Sequence, residues 1–142
     1  MATTADLEQG MTLFHRFREE SIFAVFAVNE EKARGYFQDL VARGRVLVAE
    51  ENGVLVGAIA ADVHTYPFTD DVILQQQFVY VMPEWRRSRI GITLIRHLID
   101  LAKRAHMPLF FGVSTGTDVD RLGLLLQRLG FKCIGGMYAV GV

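Results

Sequence analysis

Residues 78–94 read FVYVMPEWRRSRIGITL, which predicts a buried strand, a tight basic loop and the first turns of a long amphipathic helix. The first N–H groups of a helix have no partner inside the helix, and the helix dipole places partial positive charge there. Gly91 has no Cβ and lets the backbone approach a ligand closely. Further donors and positive charge come from consecutive loop residues, Arg86, Arg87, Ser88 and Arg89. This combination predicts a site for a phosphate or a pyrophosphate.

Composition predicts one globular domain over residues 1–142. Hydrophobic residues make up 51% of the chain and charged residues 22%, which is typical of a folded domain and argues against disorder. The formal net charge of −1 favours neither nucleic acid nor an anionic membrane as a general partner. The chain has one cysteine, no apolar run near the roughly 20 residues that span a bilayer, and no signal-peptide pattern at its N-terminus. We therefore expect a cytoplasmic protein without a nucleic-acid or membrane partner.

Hydrophobic periodicity predicts the order helix, helix, strand, strand, strand, helix, strand, helix, strand. The clearest local feature is a hairpin around Asn52 and Gly53, the pair that a type I′ turn favours. A hairpin joined to strand–helix–strand units predicts an α/β (α+β) fold with a mixed sheet and helices on both faces. The predicted helices span 6–20, 29–43, 90–105 and 118–129, and the strands lie in the hairpin 45–61 and at 72–82, 109–113 and 131–140. Residues 21–28 are predicted to form a loop or a short turn.

Two motifs resemble those of the GNAT acyltransferases. In that family a strand ending in Val-x-Pro-Glu-x precedes a Gln/Arg-x-x-Gly-x-Gly/Ala loop, and residues 81–91 (VMPEWRRSRIG) fit this frame with Arg89 at the first glycine. Residues 121–131 (RLGLLLQRLGF) are similar to the family helix that ends in Leu-Tyr-x-x-x-Gly-Phe, with Leu126 at the tyrosine. The two motifs and the Asn-Gly hairpin occur in the family order across nearly the whole chain.

The resemblance implies a GNAT-like, mostly antiparallel twisted sheet of about five to six strands. The family's first strand would fall before residue 6, and a seventh strand is missing after the last one. Either the family's ends are trimmed here, or a homodimer completes the sheet edges.

The resemblance also implies a function, the acetyl-CoA-dependent transfer of an acetyl group directly to a primary amine on a small molecule or a protein. In the family the loop wraps the pyrophosphate of the coenzyme, and the preceding strand binds its pantetheine arm. No metal is expected. Carried over to this chain, the implied cofactor-binding residues are Tyr80, Val81, Met82, Arg86, Arg87, Ser88, Arg89, Ile90, Gly91, Ile92 and Thr93.

Two alternatives remain open at this point. One is a non-catalytic module that binds coenzyme A or a partner on the same scaffold. The other is a nucleic-acid module that uses the arginine cluster, against which the net charge and the absence of a wider basic stripe count.

The groups that would move protons are not evident. The family often has a glutamate in the strand before the loop, where this chain has three glutamines at 75–77, and Leu126 cannot donate a proton. The weak candidates are His64, whose ordinary pKa is near neutrality, Gln76, which would order a water chain, and Tyr138. Glu84 is expected to be exposed or paired in its turn, Tyr138 is more readily explained as a packed sheet residue, and Cys133 as a small buried one. Candidates for an acceptor pocket are the aromatic residues Phe23, Phe26, Tyr66 and Phe68.

Overall fold

Four helices and four strands make up the fold in the computed structural model, which describes residues 1–141. The sheet has the order β1-β2-β3-β4, with β1, β2 and β3 antiparallel and β4 parallel to β3. The mixed, mostly antiparallel sheet is therefore confirmed. The helices are α1 (Leu7–Glu19), α2 (Glu30–Ala42), α3 (Ile90–Arg104) and α4 (Val119–Arg128), and the strands are β1 (Val46–Glu51), β2 (Val54–Thr65), β3 (Val72–Val81) and β4 (Leu109–Phe110).

Local sequence explains where several of these elements begin and end. Asn29 caps α2, since its side chain accepts a hydrogen bond from the N–H of Lys32 at 2.9 Å. The turn between β1 and β2 has Asn52 and Gly53 at φ +52° and +80°, as a type I′ turn requires. Residues 21–28 contain only a short 3-10 turn, Ile22–Val25. The predictions for the hairpin turn and for residues 21–28 are therefore confirmed.

The sheet separates two hydrophobic cores. Adjacent strand residues alternate between them, so that Phe78 faces α1 and α2 while Val79 faces α3 and α4. Helices on both faces are thus confirmed. The helical residues buried in the first core are Met11, Leu13, Phe37 and Leu40, and those in the second are Leu94, Ile95, Leu98, Ala102 and Leu126.

The number of strands is four, fewer than the five to six expected. The predicted strand at 131–140 is wrong, because no residue after Phe131 donates or accepts a backbone hydrogen bond to the sheet in residues 1–141. Its apolar side chains are exposed, including Ile134 at 74% and Val140 at 99%. The pair Gly135-Gly136 weakens strand formation here, since glycine offers no side chain to pack and loses much backbone entropy on ordering. The strand predicted at 109–113 is shorter and ends at Phe110.

Candidate active site

The sheet splits where β3 and β4 diverge. The two strands pair only at Leu74 with Leu109 and at Gln75 with Phe110, although β3 continues to Val81. Just beyond the last pair, the side-chain oxygen of Gln76 accepts a hydrogen bond from the N–H of Gly112 at 3.3 Å. The side chain of Gln76 therefore replaces the backbone hydrogen bonds between β3 and β4 at this point. Beyond it, an opening lies at the carboxyl ends of the two parallel strands.

The edge of β3 facing this opening carries backbone groups that β4 does not pair. The N–H of Met82 donates to Val56 O on β2 at 2.9 Å, so the neighbouring residue Val81 directs its groups to the opposite edge. The side chain of Arg86 confirms this direction, because its Nε donates to Val81 O at 2.9 Å. By the same alternation Val79 also faces the opening, and β4 pairs with neither valine in the described chain. Such an edge can bind an extended ligand as an additional strand.

The loop after β3 leaves backbone donors free. A 3-10 turn at Pro83–Trp85 leads into Ser88, whose Oγ accepts from the N–H of Ile90 at 3.2 Å. Arg89 has φ −86°, so an arginine fits the family's first glycine position without a left-handed backbone. Within residues 1–141, four N–H groups of this loop and helix start have no hydrogen-bond partner, those of Arg87, Arg89, Gly91 and Ile92.

A cavity of about 700 Å³ connects three of these residues, Arg87, Gly91 and Ile92, with the split in the sheet and with the end of α1. Its floor includes Val79 and Val81, and α3 and α4 form one wall. Three arginines at its rim or wall, Arg87, Arg121 and Arg128, supply positive charge beside the free N–H groups. Such an arrangement suits an elongated anion with an extended neutral arm.

Arg86 lines this cavity, and its side chain is engaged by groups of the protein. Its guanidinium forms an ion pair with Glu20, donates to Val81 O and lies 5.3 Å from the centre of the Tyr80 ring. Arg86 therefore ties the loop to β3 and to the end of α1. The family resemblance implies that Arg86 binds the cofactor, and in this structure its guanidinium contacts groups of the protein.

Glu20 was missed by the sequence analysis. It follows α1, and its two carboxylate oxygens accept hydrogen bonds from the hydroxyl of Tyr80 and from Arg86. Burial would raise the pKa of Glu20, but these two hydrogen bonds and the charges of Arg86 and Arg16 outweigh it and lower the pKa. Burial and the hydrogen bond to Glu20 raise the pKa of Tyr80 to about 12. At neutral pH the site therefore holds a carboxylate and a protonated phenol in contact.

Two loops meet over the cavity. The N–H of Ile22 donates to Thr115 O at 3.0 Å, and the hydroxyl of Thr117 donates to Glu20 O at 2.8 Å. Gly116 lies between them with φ +74°, and a Cβ there would come within 2.5 Å of the Ile22 side chain. A glycine is therefore required for the two loops to approach this closely.

A family model for the acetyltransferase (GNAT) domain matches residues 42–133, which is more than half of the chain. The protein belongs to the GNAT acetyltransferase family. No curated protein matches it by sequence.

Solved structures share the GNAT fold over nearly the whole chain. A predicted acetyltransferase from Clostridium acetobutylicum, solved with acetyl-CoA, has a TM-score of 0.73 and 16% identity and covers 99% of this chain and 92% of its own. An aminoglycoside acetyltransferase from an uncultured soil metagenomic sample, solved with sisomicin, has a TM-score of 0.68 and 17% identity. The match covers 98% of this chain and 92% of the other. A ribosomal-protein-alanine N-acetyltransferase from Brucella melitensis has a TM-score of 0.67 and 19% identity. The match covers 97% of this chain and 94% of the other.

Most of the residues carried over from the GNAT loop border the cavity, but four do not. Met82 packs against the first core and Ile90 against the second, while Arg89 and Thr93 lie outside the lining. Arg121 and Arg128 were not predicted. Their spacing of seven residues on a helix, which places both on one face, was the signal that the sequence contained. The predicted residues that line the cavity are Tyr80, Val81, Arg86, Arg87, Ser88, Gly91 and Ile92.

None of the weak catalytic candidates lines the cavity of this GNAT domain. His64 is exposed and lies 3.0 Å from the amide nitrogen of Gln77, and Gln76 is engaged with Gly112. Tyr138 is 96% exposed, so the expectation of a packed sheet tyrosine is wrong. Cys133 is exposed rather than buried, and its Sγ donates to Gly135 O at 3.5 Å. Both differences arise because residues 131–140 do not join the sheet.

The four aromatic residues suggested for an acceptor pocket also lie outside the cavity lining. Tyr66 and Phe68 stack on each other with centroids 5.5 Å apart, and Phe68 is exposed. Phe23 packs near Phe17, which does line the cavity.

The described residues contain no group of three or more histidine, cysteine, aspartate or glutamate side chains that would hold a metal ion. No helix among residues 1–141 combines the length and the apolar character needed to cross a membrane.

Proposed function

We propose that this protein transfers the acetyl group of acetyl-CoA to a primary amine by direct attack of the amine on the thioester. One observation carries the proposal: a single cavity joins the free N–H groups at the start of α3 to the open edge of β3. A related fold solved with acetyl-CoA supports this choice of donor.

The chemistry of the donor fits the two ends of the cavity. The diphosphate would accept hydrogen bonds from the free N–H groups of Arg87, Gly91 and Ile92, with charge supplied by Arg87 and Arg121. The pantetheine arm carries two amides, and it would pair with the edge of β3 that β4 leaves open.

Direct transfer is favoured because the described part of the cavity contains no thiol. Cys133 is the only cysteine of the chain, and it is exposed outside the lining. An amine acceptor is supported by two structural neighbours, an aminoglycoside acetyltransferase and a ribosomal-protein-alanine N-acetyltransferase. Because these acceptors differ greatly in size, both small molecules and protein termini belong in the test.

Calorimetric titration with acetyl-CoA tests the donor site. Arg87→Ala and Arg121→Ala are each expected to weaken binding about 10-fold, the size of one charge-assisted hydrogen bond. Arg104→Ala is the matched control, since Arg104 lies in the last turn of α3, outside the cavity lining. Equal affinities in all four proteins would contradict the proposed site.

Release of free thiol from acetyl-CoA tests the reaction. We expect acceleration by at least one amine among kanamycin, spermidine, glycinamide and a peptide with N-terminal alanine. Tight binding of acetyl-CoA without thiol release by any of them would favour the non-catalytic alternative.

A further inference from the structure

The cavity contains its own pair of proton-transfer groups. The two positions where the family usually places such groups hold Gln75–Gln77 and Leu126, and Leu126 is buried in the second core. The titratable lining groups that are not arginines are Glu20, Tyr80 and Asp118. Of these three, Glu20 and Tyr80 are hydrogen-bonded to each other in the described chain.

We propose that Glu20 and Tyr80 form a relay that carries a proton from the attacking amine to the leaving sulfur, with Arg86 as the positioning residue. The proposal rests on the proposed function, and it assigns proton-transfer roles to two side chains for which the family resemblance implies no such role.

The relay balances without any further reactant. The amine nitrogen forms a bond to the thioester carbon, and its excess proton passes to the carboxylate of Glu20. As the carbon–sulfur bond breaks, the hydroxyl of Tyr80 gives its proton to the sulfur. The proton on Glu20 then returns to the phenolate along the existing hydrogen bond. The net change is one proton moved from nitrogen to sulfur, and the enzyme ends in its starting state.

The position of Tyr80 suits this role. The strand residues on either side of it, Val79 and Val81, provide the open edge along which the donor's arm would lie. Its ring is buried, with 6% of the residue exposed, and the hydroxyl reaches the carboxylate rather than the core. The hydroxyl is thereby directed to one partner beside the split in the sheet.

Glu20 is held from two sides. Arg86 donates to one carboxylate oxygen, and Thr117 donates to the main-chain carbonyl. The charged groups near the pair are Arg16 from α1, Arg86 from the loop and Asp118, which acts on Arg86. This surrounding keeps Glu20 ionised and Tyr80 protonated across the neutral range, and these are the protonation states that the relay needs at its start.

Two substitutions test the relay. Tyr80→Phe keeps the ring and Glu20→Gln keeps the shape, and each is expected to lower kcat about 100-fold, within the range for general acid–base catalysis, while the Kd of acetyl-CoA stays within threefold. The matched control is Tyr36→Phe. Tyr36 lies outside the cavity beside Asp62, which is itself paired with Arg43 at 3.0 Å, so a tyrosine, a carboxylate and an arginine also meet there.

The pH profile gives a second readout. With the relay, kcat of the wild type at saturating amine is expected to be constant between about pH 6 and pH 10, since Glu20 titrates below this window and Tyr80 above it. A histidine as the general base would instead produce a fall in kcat below about pH 6.5.

The outcomes separate the relay from the proposed function. If the wild type turns over and both variants have kcat values within threefold of the wild-type value, the relay is overturned and acetyl transfer stands. A fall in the wild-type kcat near pH 6.5 has the same meaning. Absence of wild-type turnover with all four amines overturns the proposed function and the relay together.

Discussion

Arg86 illustrates how distant contacts define the role of a single residue. Its partners are Glu20, which is 66 positions earlier in the chain, and the ring and backbone of β3. Sequence motifs identify Arg86 as a loop arginine but contain no information about Glu20. Only folding brings the carboxylate within reach, and the ion pair then holds the guanidinium beside β3.

The depressed pKa of Glu20 makes stability depend on pH. Since the folded-state pKa lies below the ordinary value of 4.5, Glu20 stabilises the fold above that pH, and this contribution is lost as the pH falls through the folded pKa. Glu20→Gln is therefore expected to lower the free energy of unfolding at pH 7 and to differ less from the wild type at pH 3.5. Urea unfolding at both pH values measures this difference.

Glu84→Gln is the control for that experiment. Glu84 is exposed and has no hydrogen bond in residues 1–141, so its replacement is expected to change stability equally little at both pH values. A gap between wild type and Glu20→Gln that widens on acidification would contradict the role given to Glu20.

Gly116→Ala tests the contact between the two loops. A Cβ at this position would meet Ile22 at 2.5 Å, and φ +74° strains any other residue, so we expect a loss of about 1–3 kcal/mol in stability. Gly35→Ala, where a Cβ meets nothing within 4 Å in the middle of α2, is expected to gain about 0.5–1 kcal/mol. Thermal unfolding measures the stability of both variants. Equal changes in stability would contradict the requirement for glycine at position 116.

At the level of elements, the functional geometry comes from two strands that begin as a pair and then separate. Helical periodicity and the Asn-Gly turn identify the elements themselves, because these signals are local. The length of pairing between β3 and β4 is not a local property. It ends after Gln75, where the amide of Gln76 takes over the bond to Gly112.

Gln76→Ala is expected to loosen the split between these strands. The substitution leaves the N–H of Gly112 without its partner at 3.3 Å and should cost about 1 kcal/mol of stability. Gln75→Ala is the control on the same strand, since that side chain is exposed. Urea unfolding measures stability, and faster hydrogen exchange at Gly112 in Gln76→Ala alone would locate the effect. An unchanged rate of hydrogen exchange at Gly112 would argue against a stabilising hydrogen bond from Gly112 to Gln76.

For the whole molecule, one sheet serves two cores. Adjacent residues of β3 point to opposite cores. Loss of packing in one core therefore destabilises strands that also contribute side chains to the other core. This arrangement favours cooperative unfolding of the chain as a single unit.

Leu40→Ala in the first core and Leu98→Ala in the second test this cooperativity. Both side chains are fully buried, and each substitution is expected to cost about 2–5 kcal/mol. Calorimetry should show one transition shifted to lower temperature in both variants. Ile134→Ala, at an exposed position, should change stability by less than about 0.5 kcal/mol. Two separated transitions in either leucine variant would contradict a shared cooperative unit.

The sequence by itself determined the elements up to residue 130, the hairpin, the mixed sheet with helices on both faces, and the GNAT family through the loop at 81–91. It could do so because helix periodicity, caps and turns depend on residues that are close together in the chain. The strand expected at 131–140 does not form. Apolar residues in a segment show only that it can form a strand, and an available partner edge decides whether it does.

The tertiary structure alone decided how the site is composed. It brought Glu20, Tyr80 and Arg86 together, added Arg121 and Arg128 to the cavity, and left His64, Tyr138 and Cys133 outside it. A hydrogen bond or an ion pair requires a separation of a few ångströms between groups, whatever the number of residues between them. Spacing along the chain cannot specify that separation, and only the packing of α1 and α4 around the split sheet does.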